Sequence, residues 1–275
     1  MRRLPAGVRT WLALVPAGVV VLIWLAAMFT AVRSSLGVSR LRGWSQASTD
    51  AYGALLDDPL FWEALWFTLR ITVVSTVIAA VLAVALAAAL RRRGPVLRAL
   101  AAVPVPVPHL VAAVLGVLWL GPGGLADRLL GGMPLDLVRD PAGWGVILVY
   151  VYKEAPFLML VVLAAWGPAV AAREEAAATL GLGPLRRLGL VVWPAIRPAL
   201  LTGSAVVAAF AIGAFEVPLV IGPTAPETLS EYALQAGRGA TLDGRALSYA
   251  ALVVMSALTV VVGALAALGL RRRDA

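Results

Sequence analysis

Few residues in this chain could do chemistry, and their types restrict it to the handling of charge. One histidine, His109, and one lysine, Lys153, occur in 275 residues, and cysteine is absent. Without thiols there is no disulfide, thiolate nucleophile or thiolate metal site. One imidazole cannot form a multi-histidine metal cluster. Lys153 is followed by Glu154 and has no glycine-rich loop before it. It therefore cannot serve a P-loop, whose lysine must reach nucleotide phosphates. No Ser/His/Asp set and no paired aspartates are spaced for catalysis, so the chain is expected not to be an enzyme and to hold no cofactor or metal. What remain are ionisable residues inside apolar runs: Arg70, Lys153, Glu154 and Glu216. Such residues are costly in hydrocarbon and usually face a bundle interior or a water path. Lys153, Glu154, Phe215 and Glu216 are therefore candidates for the lining of a translocation path. Lys153 lies about 14 Å into the fourth apolar run and Glu216 about 8 Å from the outer end of the fifth. A Lys153–Glu216 ion pair is one arrangement this allows. Glu154 sits about 100° round the helix from Lys153, so those two do not face each other. Arg70 reads as a snorkelling side chain, and the stripe Thr68, Thr72, Ser75, Thr76 as helix packing. Glu216 beside the aromatic Phe215 favours a cationic or amine-bearing solute.

These residues must be positioned by elements built for lipid. The chain is 61% hydrophobic and 14% charged, with mean hydropathy +0.91, whereas soluble domains carry about 25% charged residues. Apolar runs of about 20 residues span a bilayer, and six are present: 11–32, 64–90, 100–120, 144–167, 199–221 and 247–270. The fold class is thus all-α and polytopic. The net charge of +8 comes from arginines clustered between the runs. That pattern points to membrane orientation rather than nucleic acid. With the N-terminus inside, fourteen arginines fall on the cytoplasmic side and seven outside. Both termini are then cytoplasmic, and so is the loop between the fourth and fifth runs.

The third run is irregular. "VPVPVPHL" sets Pro104, Pro106 and Pro108 within a turn and a half, and each removes an amide donor and clashes with the preceding turn. Residues 109–120 alone would cover only about 18 Å. Either the broken stretch lies at membrane depth, where such backbone survives only inside protein or beside a wet cavity, or it is an interfacial lead-in to a strongly tilted short span.

The loop at residues 169–198 is the longest polar-flecked stretch in the chain. An alanine-rich helix is expected over 169–180 and a second short helix over 185–192, punctuated by Gly181 and Gly183-Pro184. This helix–turn–helix would project Arg173, Glu174, Glu175, Arg186 and Arg187 into water. A small-residue surface rimmed by charge suits docking into another protein's groove.

Glu175, Ala176, Ala177, three residues, Gly181, nine residues, Val191, one residue, Trp193 and Pro194 resemble the EAA loop of permease subunits of ATP-binding-cassette (ABC) importers. In that family the apolar positions are usually Ile and Leu. Six spans, "FWEALWFTLRIT", "VYKEAPFLMLVVLAAWGPA" and "FEVPLVIGP" extend the likeness over nearly the whole chain, the last of them toward the branch importing polyamines, thiamine and ferric iron. The resemblance implies a type I importer permease fold forming one transmembrane domain over residues 1–275. It implies that residues 169–198 are a cytoplasmic coupling loop, with Glu174, Glu175, Ala176, Ala177, Gly181, Leu182, Gly183 and Pro194 at the contact. It also implies two ATPase subunits that bind ATP and Mg, a second permease of different sequence, and an extracytoplasmic solute-binding protein, in a prokaryotic cytoplasmic membrane. The rival class is a secondary carrier driven by an ion gradient, which would account for the intramembrane charges but not for the EAA register.

Overall fold

The computed structural model describes residues 6–38, 47–132, 136–239 and 241–271, and assigns helices and turns but no strand among them. The arginines counted above at positions 2, 3, 40, 42, 272 and 273 lie outside the described residues. Six stretches are long and apolar enough to cross a membrane: Leu14–Ser35, Pro59–Leu90, His109–Leu130, Trp144–Ala165, Pro184–Gly213 and Leu242–Leu270. The expected number holds, while most boundaries move, those of spans three and five by eight residues or more.

The chain divides into two compact units. One comprises residues 1–59 and 232–254. It holds α1 (Ala6–Ser35) and α2 (Asp50–Asp57), with parts of α12 (Leu229–Arg238) and α13 (Leu242–Arg271). Its polar ties are short: Ser35 Oγ to Tyr52 Oη at 2.7 Å, Tyr232 Oη donating to Asp58 at 2.6 Å, and Ser248 Oγ donating to the Ala233 carbonyl at 2.6 Å.

The other unit, residues 60–231 and 255–275, carries the candidate sites. Its spans are α3 (Pro59–Leu90), α5 (His109–Leu120), α7 (Trp144–Ala165) and α10 (Trp193–Gly213). Between them lie α4 (Pro95–Ala101), α6 (Leu125–Leu130), α8 (Pro168–Thr179), α9 (Pro184–Arg187) and α11 (Glu216–Ile221). Lipid tails are as apolar as leucine, so close packing rather than water exclusion must hold spans together. Ala79, Ala83 and Ala87, one per turn along α3, are fully buried against a cluster with Leu158, Met159, Ile196 and Leu200. Gly203 lets α10 approach α7 so closely that an added Cβ would stand 2.9 Å from Leu158 Cδ2. Thr68, Thr72, Ser75 and Thr76 are all buried, which bears out the packing reading of that stripe. Thr68 Oγ1 accepts from the Leu229 amide at 2.8 Å. Arg70 is exposed, as a snorkelling side chain should be.

Span five departs from expectation at both ends. Residues 185–192 do not make a separate short helix. The single α turn of α9 runs through a π turn, Leu188–Val192, straight into α10. The chain stays helical through Pro194 and Pro198. The π turn at 188–192 lies directly before Pro194, and π turns are where an α-helix absorbs an irregularity such as a missing donor. At the other end the span stops at Gly213 instead of reaching residue 221. Pro218 lacks the amide that would bond the Ala214 carbonyl four residues back, and its ring would clash there. The chain is extended at Ala214 and restarts as α11. Ser230 Oγ donates to the freed Ala214 carbonyl at 3.0 Å. Ser230 is itself placed by a capping box: the Thr228 amide and hydroxyl both donate to Glu231 Oε2 at 2.8 Å.

Candidate functional site

Two arrangements of polar residues stand out, one within the spans and one on the loop between spans four and five.

Within the spans, residues 102–108 are turns rather than helix, as the three prolines require. The amides of Val103, Val105 and Val107 each reach the carbonyl three residues back, at 3.0–3.2 Å. The prolines donate nothing, so several carbonyls are left over. Lys153, buried on α7, supplies the missing donors. Its Nζ donates to the carbonyls of Pro104 at 2.8 Å and Val105 at 3.0 Å, and to that of Val107. An ammonium has three donors, and here three backbone carbonyls take them. The Lys153–Glu216 pair allowed by the sequence is therefore not what satisfies this lysine. Glu216 is half-buried in the first turn of α11, beyond the break in span five rather than within its helix. Phe215, just before it, is exposed.

Glu154 turns to a different partner. Its Oε1 lies 2.9 Å from Nε2 of His109, the first residue of α5. The His109 ring stacks on Phe210 with centroids 4.3 Å apart. These residues line a cavity of about 250 Å³ with Val105, Lys153, Phe157, Val206 and Val207. The walls are mostly apolar, and the polar groups converge from α7 and the start of α5, as in a small-solute site or passage. His109 was not singled out from the sequence for this role. The available signal was its position: a lone imidazole directly after the proline-broken stretch.

On the loop, α8 ends in a Schellman motif. The Leu182 amide donates to the Ala177 carbonyl at 3.1 Å and the Gly181 amide to that of Ala178 at 3.0 Å. Gly181 has φ +82° and open space around its Cα. Its role is thus conformational, a left-handed turn that a side chain would strain. Glu175, Ala176 and Gly183 are exposed, Leu182 is half-buried, Ala177 is buried, and Pro194 sits in the first turn of α10. Glu174 does not project into water. It is 5% exposed and its Oε1 lies 2.6 Å from Arg91 Nη2. On a helix, adjacent residues point about 100° apart, so one glutamate of the pair faces in and the other out. Three large apolar side chains overlooked in the sequence stand out of this region: Leu180, Leu185 and Leu190, at 79%, 83% and 68% exposure.

The family described as "binding-protein-dependent transport system inner membrane component" matches residues 75–274. The chain is 28% identical over 142 residues to the molybdenum transport system permease protein ModB of Azotobacter vinelandii, a match spanning 50% of this chain and 60% of that protein. Its backbone is similar to a chain of a bacterial alginate ABC transporter solved in complex with an alginate pentasaccharide-bound periplasmic protein (TM-score 0.73, 20% identity, 94% of this chain and 93% of that one). A second structure, of a bacterial ABC transporter involved in import of the acidic polysaccharide alginate, gives TM-score 0.73 at 21% identity, covering 96% of both chains. At such identities the likeness shows the fold. Six apolar spans, the EAA register from Glu175 to Pro194 and a family match over most of the length together make this multi-pass membrane chain a member of the permease family of binding-protein-dependent transport systems.

Proposed function

We propose that this chain is the six-span permease subunit of an ATP-driven importer in a prokaryotic cytoplasmic membrane, fed by an extracytoplasmic solute-binding protein. Residues 1–275 act as one transmembrane domain and residues 169–198 as its coupling loop. A second permease of different sequence pairs with it. Two ATPase subunits dock beneath, and ATP and Mg are bound and used there rather than on this chain. The carrying observation is the elbow at Gly181, with exposed Glu175 on one arm and the exposed leucines 180 and 185 around it. A loop that left these leucines in water would gain nothing from them. Seated in a partner's cleft, each contributes about 1.5–3 kcal/mol of apolar burial. Glu175 then adds a charged contact, and the Schellman turn holds both arms at a set angle. The cavity between α5, α7 and α10 is the favoured stretch of the solute path, with His109 and Glu154 as its polar lining. A secondary carrier would account for that cavity but would leave the elbow without a partner.

Two measurements test this reading. Reporter fusions after Arg93 and Arg187 should read cytoplasmic, and fusions at Asp136 and Gln235 external. A cytoplasmic reading at Asp136 would break the six-span topology. The purified chain with its permease partner should retain ATPase subunits on an affinity column. Ion-gradient-driven uptake by the permease alone, with no ATPase retained, would favour the carrier instead.

A further inference from the structure

We propose that Arg91, Glu174 and Trp166 form a latch that delivers movement of the coupling loop to spans two and four. The inference rests on residues 169–198 being the ATPase-coupling loop. Three elements meet at one carboxylate. Arg91 directly follows the last residue of α3, Trp166 caps the C-terminus of α7, and Glu174 lies midway along α8. Arg91 Nη2 donates to Glu174 Oε1 at 2.6 Å, and Trp166 Nε1 donates to Oε2 at 3.3 Å. The Arg91 guanidinium also lies over the Trp166 indole, 4.4 Å from its centroid. Each carboxylate oxygen is thus held by the end of a different span.

The burial pattern says why this grip matters. Only Glu174 and Ala177 are buried on α8. An alanine methyl offers little to pull on, whereas a short guanidinium–carboxylate contact is charge-assisted and directional. Glu174 and Trp166 are 5% and 7% exposed, so water and salt screen the contact little. Beyond the latch, Val170 of α8 is partly buried against the apolar cluster of Ala83, Leu158 and Ile196, a contact without direction, and the chain itself ties α8 at Gly167 before it and at the Gly181 turn after it. A push on exposed Glu175 therefore reaches the spans through its neighbour. The two adjacent glutamates divide the work, Glu175 toward the partner and Glu174 toward the spans. Arg91 and Trp166 are positioning residues in this scheme.

The absence of cysteine allows a clean distance measurement. Ala89→Cys on the last turn of α3 and Ala172→Cys on α8, outside the residues assigned to the ATPase contact, are both exposed positions for spin labels. In the assembled importer in nanodiscs, pulsed EPR should give one narrow distance distribution, both without nucleotide and with ATP trapped. Glu174→Gln and Arg91→Glu should each broaden it, and the combined swap Arg91→Glu with Glu174→Arg should narrow it again. Trp166→Phe removes the Nε1 donor alone and should broaden it less. That variant and the swap carry the test if Glu174→Gln fails to accumulate. ATPase capture by Glu174→Gln should stay within about twofold of the parent, as for a change away from an interface. Unchanged distances in both single variants, or a swap no better than either, would overturn the latch. So would a loss of capture in Glu174→Gln matching that in Glu175→Ala, which would place Glu174 at the partner contact. Full capture in both Glu175→Ala and Leu185→Asp would instead remove the coupling reading itself, whatever the distances show.

Discussion

Lys153→Met should destabilise the protein by about 3 kcal/mol, the cost of leaving buried acceptors without their donor. The methionine side chain is apolar and of similar length, so little volume is lost. What disappears is the ammonium that serves the carbonyls of Pro104, Val105 and Val107 at once. Nothing nearby can replace it, because the prolines at 104, 106 and 108 have no amide protons to offer. Of the three carbonyls, Pro104 keeps the Val107 amide at 3.2 Å. Replacing both sides of a buried polar contact with apolar groups can be neutral, whereas removing one side is not. Lys153→Arg should recover only part of the loss, since a planar fork cannot point three donors at one tight turn. Thermal unfolding of the purified protein in lipid nanodiscs measures this. A methionine variant that unfolds at the parental temperature would show that the lysine contributes nothing to holding residues 102–108.

Leu185→Asp should weaken retention of the ATPase subunits roughly thirtyfold, the loss expected for an interface hot spot worth about 2 kcal/mol. The leucine is 83% exposed, so the span bundle does not depend on it and membrane levels should match the parent. Gly181→Leu should act on the same contact by a different route. A leucine at φ +82° costs about 1–2 kcal/mol, and relieving that strain means opening the Schellman turn and swinging α9 away from α8. Both variants are read by co-purification, with the protein recovered from membranes as the control. Normal retention in both would remove the loop from the docking surface. Loss of the protein itself would make the loop a connector needed for folding.

Much of this architecture could be read in advance because it depends on local rules. Six apolar runs, a proline stretch that cannot be helical and a Gly/Pro-punctuated loop all follow from residue type and spacing within one segment. The EAA register belongs to the same class, since it is a pattern within some twenty residues. The remainder depends on partners far along the chain. Glu174 and Glu175 are the same residue type side by side, and Glu174 turns inward to partners that include Arg91, 83 residues away. The glutamate and histidine in the cavity are 45 residues apart. Lys153 was harder still, because backbone carbonyls leave no mark in a sequence, and a search for its counterion looks for a carboxylate. The end of span five had a local signal in Pro218, which removes the donor to Ala214, but the apolar run continued and masked the break, and the same residue type leaves α7 and α10 unbroken at Pro156 and Pro198.

The lysine clasp also bears on how the chain enters the membrane. It joins the turns leading into span three to span four, 46 to 49 positions further on. Spans emerge from synthesis in order, so span three must wait with its loose carbonyls until span four arrives. Span four, entering alone, would carry an ammonium near mid-membrane, which insertion measurements place at about 2.5–3.5 kcal/mol. Each segment thus holds what the other lacks. The favourable course is for the two to leave the translocation machinery together, as a hairpin already fastened at its middle.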